Sequence, residues 1–440
     1  MANLFAGAAM RKITPPLEML PKLATEREPY KGVHSDMYGR VIVVSDGTRK
    51  AALIGADTGI FPNAILTEKR LMEEFGFEPC SCLFSATHNH EAPKALFLEG
   101  SDPEPMMRNK SETSDAYARF VLEQFVDATR EAIANLKPAK MGVNLGQSYI
   151  NCNRDLPTPI GGVQSNNFKG TSDHDLLVIK FEDMDGEPIG VYVNHATHSN
   201  YMCWNLYNGD YPMVNADLGG GISQFVEKAL KNKCPVIWAK GCAGDQNPIT
   251  RSSWRIVRVD DNGEYTFEQV YFKYEDNLLQ LENLVGTQGL EIMELLDTMT
   301  EYTDEFTFKG AETFRSIPAR QSYNQLKLQL KCHERPEPVP FDPPRTVDFR
   351  FRLANLCGVS FVNLNNESYS GLGLLIKRLL PTKYTAPQCV TFGHCGYIPD
   401  TSMEWVNGFG TMNSNAWSAE MTEEAYTDAI TQLRKEVYGE

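Results

Sequence analysis

Short apolar runs bounded by turn-forming residues alternate along the chain with longer segments that repeat at a helical period. The runs predict β-strands. Within 40–57 and within 175–198, two such runs are joined by an Asp-Gly pair, which is a strong local signal for a hairpin. Further strands are predicted at 234–241, 359–365 and 388–397.

Helices are predicted between the strands, where apolar side chains recur along one face. These segments are 63–76, 114–136, 219–232, 274–299, 371–380 and 421–437. Ser114 is the expected N-cap of the second helix, and the pattern of the fourth is interrupted near Gly286 and Gly289. Because strands and helices interleave while hairpins intrude, we predict an α/β fold with a mixed β-sheet core flanked by helices.

The 440 residues contain no internal repeat and no clean linker, so we predict a single domain over residues 1–440. One segment, 254–273, has the pattern of an inserted β-hairpin that turns at Asn262-Gly263. It directly follows a glycine-rich motif and is therefore placed to overhang a site. The proline-rich stretch 334–346 is expected to be a surface connector.

Composition narrows the class of protein. The chain is 42% apolar and 22% charged, as in ordinary globular proteins. Its net charge of −15 argues against binding to nucleic acid or to anionic lipid. No apolar run reaches the roughly 18–20 residues of a membrane span. The N-terminus lacks a signal-peptide pattern, and the ten cysteines form no CxxC pair. We therefore expect a cytoplasmic protein with a small-molecule substrate, and the sequence gives no indication of oligomeric state.

Two pairs of histidines each follow an apolar stretch. SATHNHEAP contains His88 and His90, and NHATHSN contains His195 and His198. Residues two apart on a strand point to the same side, and the carboxyl ends of strands usually face the ligand crevice of an α/β sheet. Histidine is the most common zinc ligand in catalytic sites. A buried histidine is also commonly a hydrogen-bonded core residue, so this pattern alone leaves a metal site and simple packing both open.

Other polar residues follow strands in a similar way. KGCAGDQNP offers Asp245 and Asn247, NCNRDLP offers Arg154, Glu367 follows a predicted strand, and Tyr397 ends one. Each has an ordinary structural explanation as well: a turn, an acid at a helix start, or a packed aromatic ring. The sequence has no G-x-S-x-G, no dinucleotide-binding fingerprint and no HExxH, which argues against those enzyme classes.

A series of short motifs, taken in chain order, resembles the catalytic domain of the neutral/alkaline non-lysosomal ceramidase family. The resemblance spans roughly residues 5 to 410 and consists of AGAAMRKITPP, VHSDMYGRVIVV, SATHNHEAP, NCNRDLP, NHATHSN, NADLGGGISQFVE, KGCAGDQNP, NNESYSGLGLLI and CGYIPD. Each motif is weak alone, but the ordered set is specific. The resemblance implies the fold of that catalytic domain and one catalytic zinc ion.

The resemblance also implies roles for individual residues. The zinc ligands it implies are His88, His195, Glu367 and Tyr397. His90 matches the active-site histidine beside the metal, and Arg154 matches an arginine of the substrate pocket. His, Glu and Tyr ligands also suit iron or manganese, so another divalent transition metal remains open.

The chain departs from the family at two positions. Asn247 stands where true ceramidases have a serine to which a nucleophilic role is assigned, and Phe409 replaces a tyrosine near the site. Asparagine cannot accept an acyl group in that way. Typical family members are also secreted and carry a C-terminal β-sandwich domain, whereas we expect a cytoplasmic protein here. The resemblance therefore implies the metal site more strongly than it implies ceramide as the substrate.

We predict a zinc-dependent hydrolase that uses metal-activated water on a carbonyl group of a small polar metabolite. The bond that we expect to be hydrolysed is that of an amide, or a bond in a cyclic ketone or diketone from sugar or cyclitol breakdown. His90, Arg154 and Asn247 are the predicted catalytic residues. Two alternatives stay open: a lipid amidase that hydrolyses N-acyl sphingosine, and a non-catalytic binding protein that retains the metal site.

Overall fold

The structure is a computed structural model that describes residues 3–23, 30–93, 98, 112–203, 213–263 and 265–439. Its α-helices are α1 (Ala64–Phe75), α2 (Glu112–Ala134), α3 (Asp217–Ala229), α4 (Tyr274–Asp297), α5 (Ser370–Leu379), α6 (Phe409–Asn413) and α7 (Ala419–Tyr438). Short 3-10 helices lie at Leu20–Lys22 and Glu404–Val406.

The strands, in chain order, are β1 (Phe5–Lys12), β2 (Gly32–Val33), β3 (Tyr38–Ser45), β4 (Lys50–Ala56), β5 (Cys82–Ala86), β6 (Lys137–Gln147), β7 (Asn151–Asn153), β8 (Asp155–Thr158), β9 (Gly161–Gln164), β10 (Asp175–Asp183), β11 (Pro188–His195), β12 (Met213–Val214), β13 (Val236–Lys240), β14 (Gln246–Pro248), β15 (Ser253–Val259), β16 (Tyr265–Tyr271), β17 (Glu301–Thr303), β18 (Phe308–Pro318), β19 (Thr346–Leu356), β20 (Val359–Leu364), β21 (Glu367–Ser368), β22 (Tyr384–Gln388) and β23 (Tyr397–Ile398).

A large mixed sheet runs in the order β13-β11-β10-β6-β1-β3-β4-β5, with β17 added beside β6. Its pairs β11–β13 and β4–β5 are parallel, and the other pairs are antiparallel. The two halves of this sheet meet where Phe5 and Ala6 pair with Pro138 and Lys137. The predicted mixed α/β architecture is confirmed.

The two halves of the large sheet and a smaller sheet, β18-β19-β20-β22, share one apolar core. Ile42 of the first half lies so close to the second that a Cβ on Gly190 would be 2.7 Å from its Cδ1 atom. Strand β3 is buried because apolar cores lie against both of its faces. Its residues Ile42 and Val44 face this core, while Val41 and Val43 face a second core on the other side. A strand that is covered on both faces carries apolar side chains on both, as residues 41–44 do here.

Helices cover the outer faces of the sheets. Helix α2 packs against β1 and β3, α3 and α4 pack together against β13 and β10, and α7 packs against β18 and β19. Within the described ranges, no helix is long and apolar enough to cross a bilayer.

Most predicted elements are present. The hairpins within 40–57 and 175–198 correspond to β3–β4 and β10–β11, and the inserted hairpin of 254–273 corresponds to β15–β16. The described part of α2 begins at Glu112, so Ser114 lies inside the helix, and its prediction as the N-cap is wrong.

Two further predictions are corrected. Helix α4 continues through Gly286 and Gly289 without a break, because Gly289 serves the close packing of α3 on α4 and does not end the helix. A Cβ at this position would lie 2.2 Å from the ring of Phe225. The predicted strand at 388–397 is also wrong, because β22 ends at Gln388 and β23 begins at Tyr397.

Candidate metal centre

The carboxyl ends of several strands meet at one place. His88 follows β5, His198 follows β11, Lys240 is the last residue of β13, and Glu367 follows β20 as the first residue of β21. The short pairing of β21 with β23 places Glu367 directly opposite Tyr397. Open α/β sheets bind ligands at the carboxyl ends of their strands, so this is the expected location for a site.

The rings of His88 and His198 are oriented by the backbone. Nδ1 of His88 lies 2.6 Å from the carbonyl oxygen of Gly59, and Nδ1 of His198 lies 2.8 Å from that of Gln246. A carbonyl oxygen only accepts, so both Nδ1 atoms carry the proton and both Nε2 atoms keep a free lone pair. Each Nε2 is buried without a hydrogen bond to any of the described residues. This is the tautomer of metal-binding histidines.

A third histidine, His90, completes the group. Its ring centroid is 4.7 Å from that of His88, and the centroids of His88 and His198 are also 4.7 Å apart. One nitrogen from each of the three rings lies within 4.8 Å of the others. His88 and His198 are buried, whereas His90 is exposed and lies on the open side of the group. Together with the free lone pairs, this spacing fits a bound transition-metal ion.

Glu367 lies at the centre of the polar contacts. Its Oε2 atom is 3.1 Å from Nε2 of His88 and 2.9 Å from Nε2 of His198. The ammonium group of Lys240 is 2.9 Å from the same oxygen. The second carboxylate oxygen, Oε1, lies 2.8 Å from Nε2 of His394. With their protons on Nδ1, these two ring nitrogens cannot donate to the carboxylate, so acceptor atoms face one another here, and Lys240 is the cation beside them.

Burial and these contacts shift the pKa values in a consistent direction. Burial alone would raise the pKa of Glu367, but His88 and Lys240 hold it well below its usual value. Burial lowers the pKa of His88, although Glu367 partly opposes the shift. Burial and then the charge of Lys240 bring the pKa of His198 well below its usual value. The site therefore favours neutral imidazoles and an ionised carboxylate, which are the forms that bind metal.

A second wall of the site is built around Arg154. Strands β7 and β14 pair and place Asn247 opposite Cys152, which brings the Arg154 and Asn247 motifs together. Arg154 donates from Nη2 to the carbonyl oxygen of Gly244 at 2.6 Å and from Nη1 to Oδ1 of Asn247 at 3.2 Å. Its guanidinium carbon is 5.2 Å from the ring centroid of Tyr397 and 5.7 Å from that of Phe409.

The structure brings most of the predicted site residues together. The sequence-predicted residues found in this region are His88, His90, Arg154, Asn247, Glu367 and Tyr397. Burial and the neighbouring Glu367 raise the pKa of the Tyr397 phenol. Phe409, predicted to replace a tyrosine near the site, packs edge-on against Tyr397 with ring centroids 5.5 Å apart.

His195 does not join the group that contacts Glu367. It is the last residue of β11, and its Nδ1 lies 2.9 Å from the carbonyl oxygen of Asp175. Burial lowers its pKa to about 4. The histidine of NHATHSN that contacts Glu367 is His198, because the chain turns after the strand end and brings the later histidine of the motif to this carboxylate.

Sequence reasoning missed Lys240 and His394 as members of the site. Lys240 ends the apolar run CPVIWAK, where a fully buried charge is rare and is a signal in itself. His394 stands in FGHCGY, within the segment that was predicted to be a strand. No sequence pattern shows that its ring reaches Glu367, because that contact depends on the irregular path between β22 and β23.

The fold is that of solved neutral ceramidases. The crystal structure of neutral ceramidase from Pseudomonas aeruginosa matches with a TM-score of 0.72 and 14% sequence identity, over 99% of this chain and 75% of that chain. A ceramidase complexed with C2 matches with a TM-score of 0.73 and 13% identity, over 99% of this chain and 76% of that chain. No family model matches the sequence. At these identities the likeness establishes the fold, which confirms that part of the resemblance drawn from the motifs.

Proposed function

We propose that this protein is a metal-dependent hydrolase that acts on a carbonyl compound. The observation that carries the proposal is the pair of buried Nε2 lone pairs, on His88 and His198, that converge on the carboxylate of Glu367. Zinc suits such a set of nitrogen and oxygen donors, and Tyr397, opposite Glu367, is the proposed fourth ligand. His198 replaces His195 in this ligand set because of its contact with Glu367.

A zinc ion bound there would polarise a carbonyl group and make hydroxide available near neutral pH. In this proposal His90, the exposed ring of the three-histidine group, is not a metal ligand and is placed to take and return a proton at an imidazole nitrogen. Arg154 is fixed by Gly244 and Asn247 and is placed to donate a hydrogen bond to a substrate oxygen.

Asn247 takes part as a hydrogen-bond donor in this proposal. Its Oδ1 atom accepts from Nη1 of Arg154 at 3.2 Å and from Nδ2 of Asn200 at 3.3 Å. The amide nitrogen is then the group that can donate to a substrate oxygen. An amide is no acyl acceptor, so activated water is the nucleophile in this proposal.

For the substrate, we propose a small polar metabolite that carries an amide, or a cyclic ketone or diketone from sugar or cyclitol breakdown. Asn247 in place of a nucleophilic serine and the net charge of −15 support a substrate other than a membrane lipid. The ten free cysteines support the expected cytoplasmic location. Ceramide cleavage is the second candidate, and the fold likeness to ceramidases favours it.

The test combines metal analysis with turnover. Inductively coupled plasma mass spectrometry should find about one zinc per chain in the wild type and almost none in His88→Ala, whereas His333→Ala, a surface control, keeps its metal. His90→Ala should keep the metal and lose rate by about a hundredfold or more.

Turnover is then measured on small N-acetyl compounds, 1,3-cyclohexanedione and detergent-solubilised N-acyl sphingosine. Cleavage of the sphingolipid alone would establish the second candidate. Stoichiometric metal without turnover of any of the three would favour a binding protein. A wild type without metal, or full activity in His88→Ala, would overturn the proposal.

A further inference from the structure

Asp245 is a buried acidic residue that the proposed reaction does not use. It belongs to KGCAGDQNP, two residues before Asn247, and it has no solvent exposure. A carboxyl group is buried at a considerable cost in free energy unless hydrogen bonds compensate for the lost water. The hydrogen-bond partners of Asp245 therefore show which parts of the chain it joins.

The side chain of Asp245 joins two separate segments. Its Oδ1 atom accepts from the backbone nitrogen of Ser370 at 2.7 Å. Its Oδ2 atom accepts from Nδ2 of Asn153 at 2.9 Å and from the hydroxyl of Ser370 at 2.9 Å. Asn153 directly precedes Arg154 in the chain, and Ser370 follows β21, whose first residue is Glu367. One carboxyl group thus connects the segment that carries Arg154 with the segment that carries Glu367.

The backbone around Asp245 makes the same connection. Its carbonyl oxygen accepts from the backbone nitrogen of Arg154 at 2.7 Å. The neighbouring Gly244 accepts from Nη2 of Arg154 at 2.6 Å and donates its own N–H to the carbonyl oxygen of Ser368 at 2.8 Å. A Cβ on Gly244 would lie 2.4 Å from the backbone oxygen of Glu367. The loop therefore fits between Arg154 and β21 with no free space.

We infer that Asp245 is a positioning residue that holds Arg154 in a fixed place relative to Glu367. The inference rests on the proposed function, in which one substrate must meet both the metal ligands and Arg154. Asp245 acts through its contacts with Asn153 and Ser370 and takes no part in the chemistry itself. A displacement of about 1 Å at a reacting group can lower a rate by about a hundredfold, so such a residue affects the rate without reacting.

The first test measures Arg154 directly, in the metal-free full chain. Asp245→Asn keeps the shape of the side chain but replaces one acceptor by a donor. Because Oδ1 and Oδ2 both accept hydrogen bonds, either orientation of the amide sets two donors against each other. We expect the ¹H–¹⁵N signal of Arg154 Nε, assigned by its absence in Arg154→Lys, to shift or broaden in Asp245→Asn. An unchanged signal would overturn the inference.

The second test measures turnover on the compound, of the three in the turnover assay, that the wild type cleaves. In Asp245→Asn we expect the metal to be retained and kcat per bound zinc to fall by about tenfold to a hundredfold, with KM nearly unchanged. The matched control is Glu68→Gln, which changes another buried carboxyl group, one that accepts from Arg352 at 2.7 and 2.8 Å. It should leave kcat per bound zinc and the Arg154 signal unchanged. Equal losses in the two variants would overturn the inference, since they would show a general loss of structure.

The outcomes distinguish this inference from the proposed function. If the wild type binds no metal or cleaves none of the compounds, the proposed function fails, and the Arg154 signal still decides whether Asp245 positions that residue. If the wild type is active and Asp245→Asn keeps its kcat per bound zinc, only this inference fails.

A milder variant covers the case in which Asp245→Asn does not fold. Ser370→Ala removes the hydroxyl donor to Oδ2 of Asp245 and keeps the backbone donor to Oδ1. The Arg154 signal should shift in this variant, and kcat per bound zinc should fall by about fivefold, the effect of one hydrogen bond. A signal and a kcat that both match the wild type would overturn the inference.

Discussion

At the scale of single residues, the candidate metal centre depends on the ring nitrogen that each histidine gives to the backbone. His88 and His198 use Nδ1 for a carbonyl oxygen and leave Nε2 free. The backbone of His88 is left-handed, with φ of 57°, a conformation that costs energy for a residue other than glycine. That conformation is maintained by the surrounding structure, and it aims the ring at Glu367.

The assignment of His198 in place of His195 gives a direct prediction. His198→Ala should weaken zinc affinity by more than about a hundredfold, because it removes a ligand and not merely a supporting group. His195→Ala should keep about one zinc per chain, since its ring bonds to Asp175 and makes no contact with Glu367. Competition with a chromophoric chelator measures both affinities. Loss of metal in His195→Ala alone would restore the assignment made from the sequence.

His195 also predicts a pH dependence of stability. Burial lowers its pKa to about 4 in the folded chain, whereas an unfolded histidine titrates near 6.5. The unfolded state therefore binds the proton first. The stability contributed by neutral His195 is fully present above about pH 6.5 and is lost as the pH falls toward 4, at up to about 1.4 kcal/mol per pH unit.

Urea unfolding of the metal-free protein at pH 7, 6 and 5 measures this effect. The free energy of unfolding should fall less steeply in His195→Gln, whose amide can still donate to Asp175, than in the wild type. His333→Gln changes an exposed ring that stacks on Trp405 and serves as the control. Identical slopes in wild type and His195→Gln would contradict the prediction.

The residue scale also shows how far the sequence could predict the site. His88, His90, Glu367, Tyr397, Arg154 and Asn247 were all identified from motifs, and the structure places them in one region. The choice between His195 and His198 depends on the turn after β11, and spacing in the sequence does not determine that turn. The contact of His394 with Glu367 joins residues 27 apart through an irregular segment, so no periodic pattern could reveal it.

At the scale of elements, helix α4 shows that a glycine does not necessarily end a helix. The α3–α4 contact is so close that a Cβ on Gly289 would lie 2.2 Å from the ring of Phe225. Gly286, one turn earlier, has open space around the same position. Close helix packing therefore requires a glycine at position 289, whereas no contact requires one at position 286.

These glycines give a matched pair of substitutions. Gly289→Ala should destabilise the protein by about 1–3 kcal/mol through overpacking. Gly286→Ala should stabilise it by about 0.5–1 kcal/mol, because alanine has the higher helix propensity and nothing obstructs its methyl group. Denaturant unfolding measures both changes. A neutral effect at Gly289 would mean that α3 and α4 move apart easily, contrary to their close packing.

The element scale is where the sequence predicted best. The hairpins turning at Asp46-Gly47 and Asp185-Gly186 and the long amphipathic helices all occur, because local turn chemistry and periodicity specify them. The predicted strand at 388–397 fails for a different reason. Its apolar residues, among them Val390 and Phe392, are buried in a core that an irregular segment reaches. A buried segment without regular backbone pairing has the same run of apolar residues as a buried strand, so the sequence does not distinguish the two.

At the scale of the whole molecule, a buried ion network connects parts of the chain that are distant in sequence. Arg40 of β3 donates from Nη1 to Asp57 at 2.8 Å and from Nε to Glu227 of α3 at 2.6 Å. Glu227 also accepts from the backbone nitrogen of Val236, the first residue of β13, at 2.9 Å. One guanidinium thus links the two halves of the large sheet, whose ends carry His88 and Lys240.

Breaking this network should destabilise the whole protein, because removal of the cation leaves two buried carboxylates without compensation. Arg40→Met is expected to lower the free energy of unfolding by about 3–5 kcal/mol. Arg130→Met is the matched surface control, since its partners Asp127 and Glu74 are solvent-accessible, and it should change the free energy by less than about 1 kcal/mol. Because the network holds together the two strand ends of the site, zinc affinity should fall in Arg40→Met and remain unchanged in Arg130→Met. If Arg40→Met lowers stability while zinc affinity is preserved, each half of the sheet holds its part of the site independently of the network.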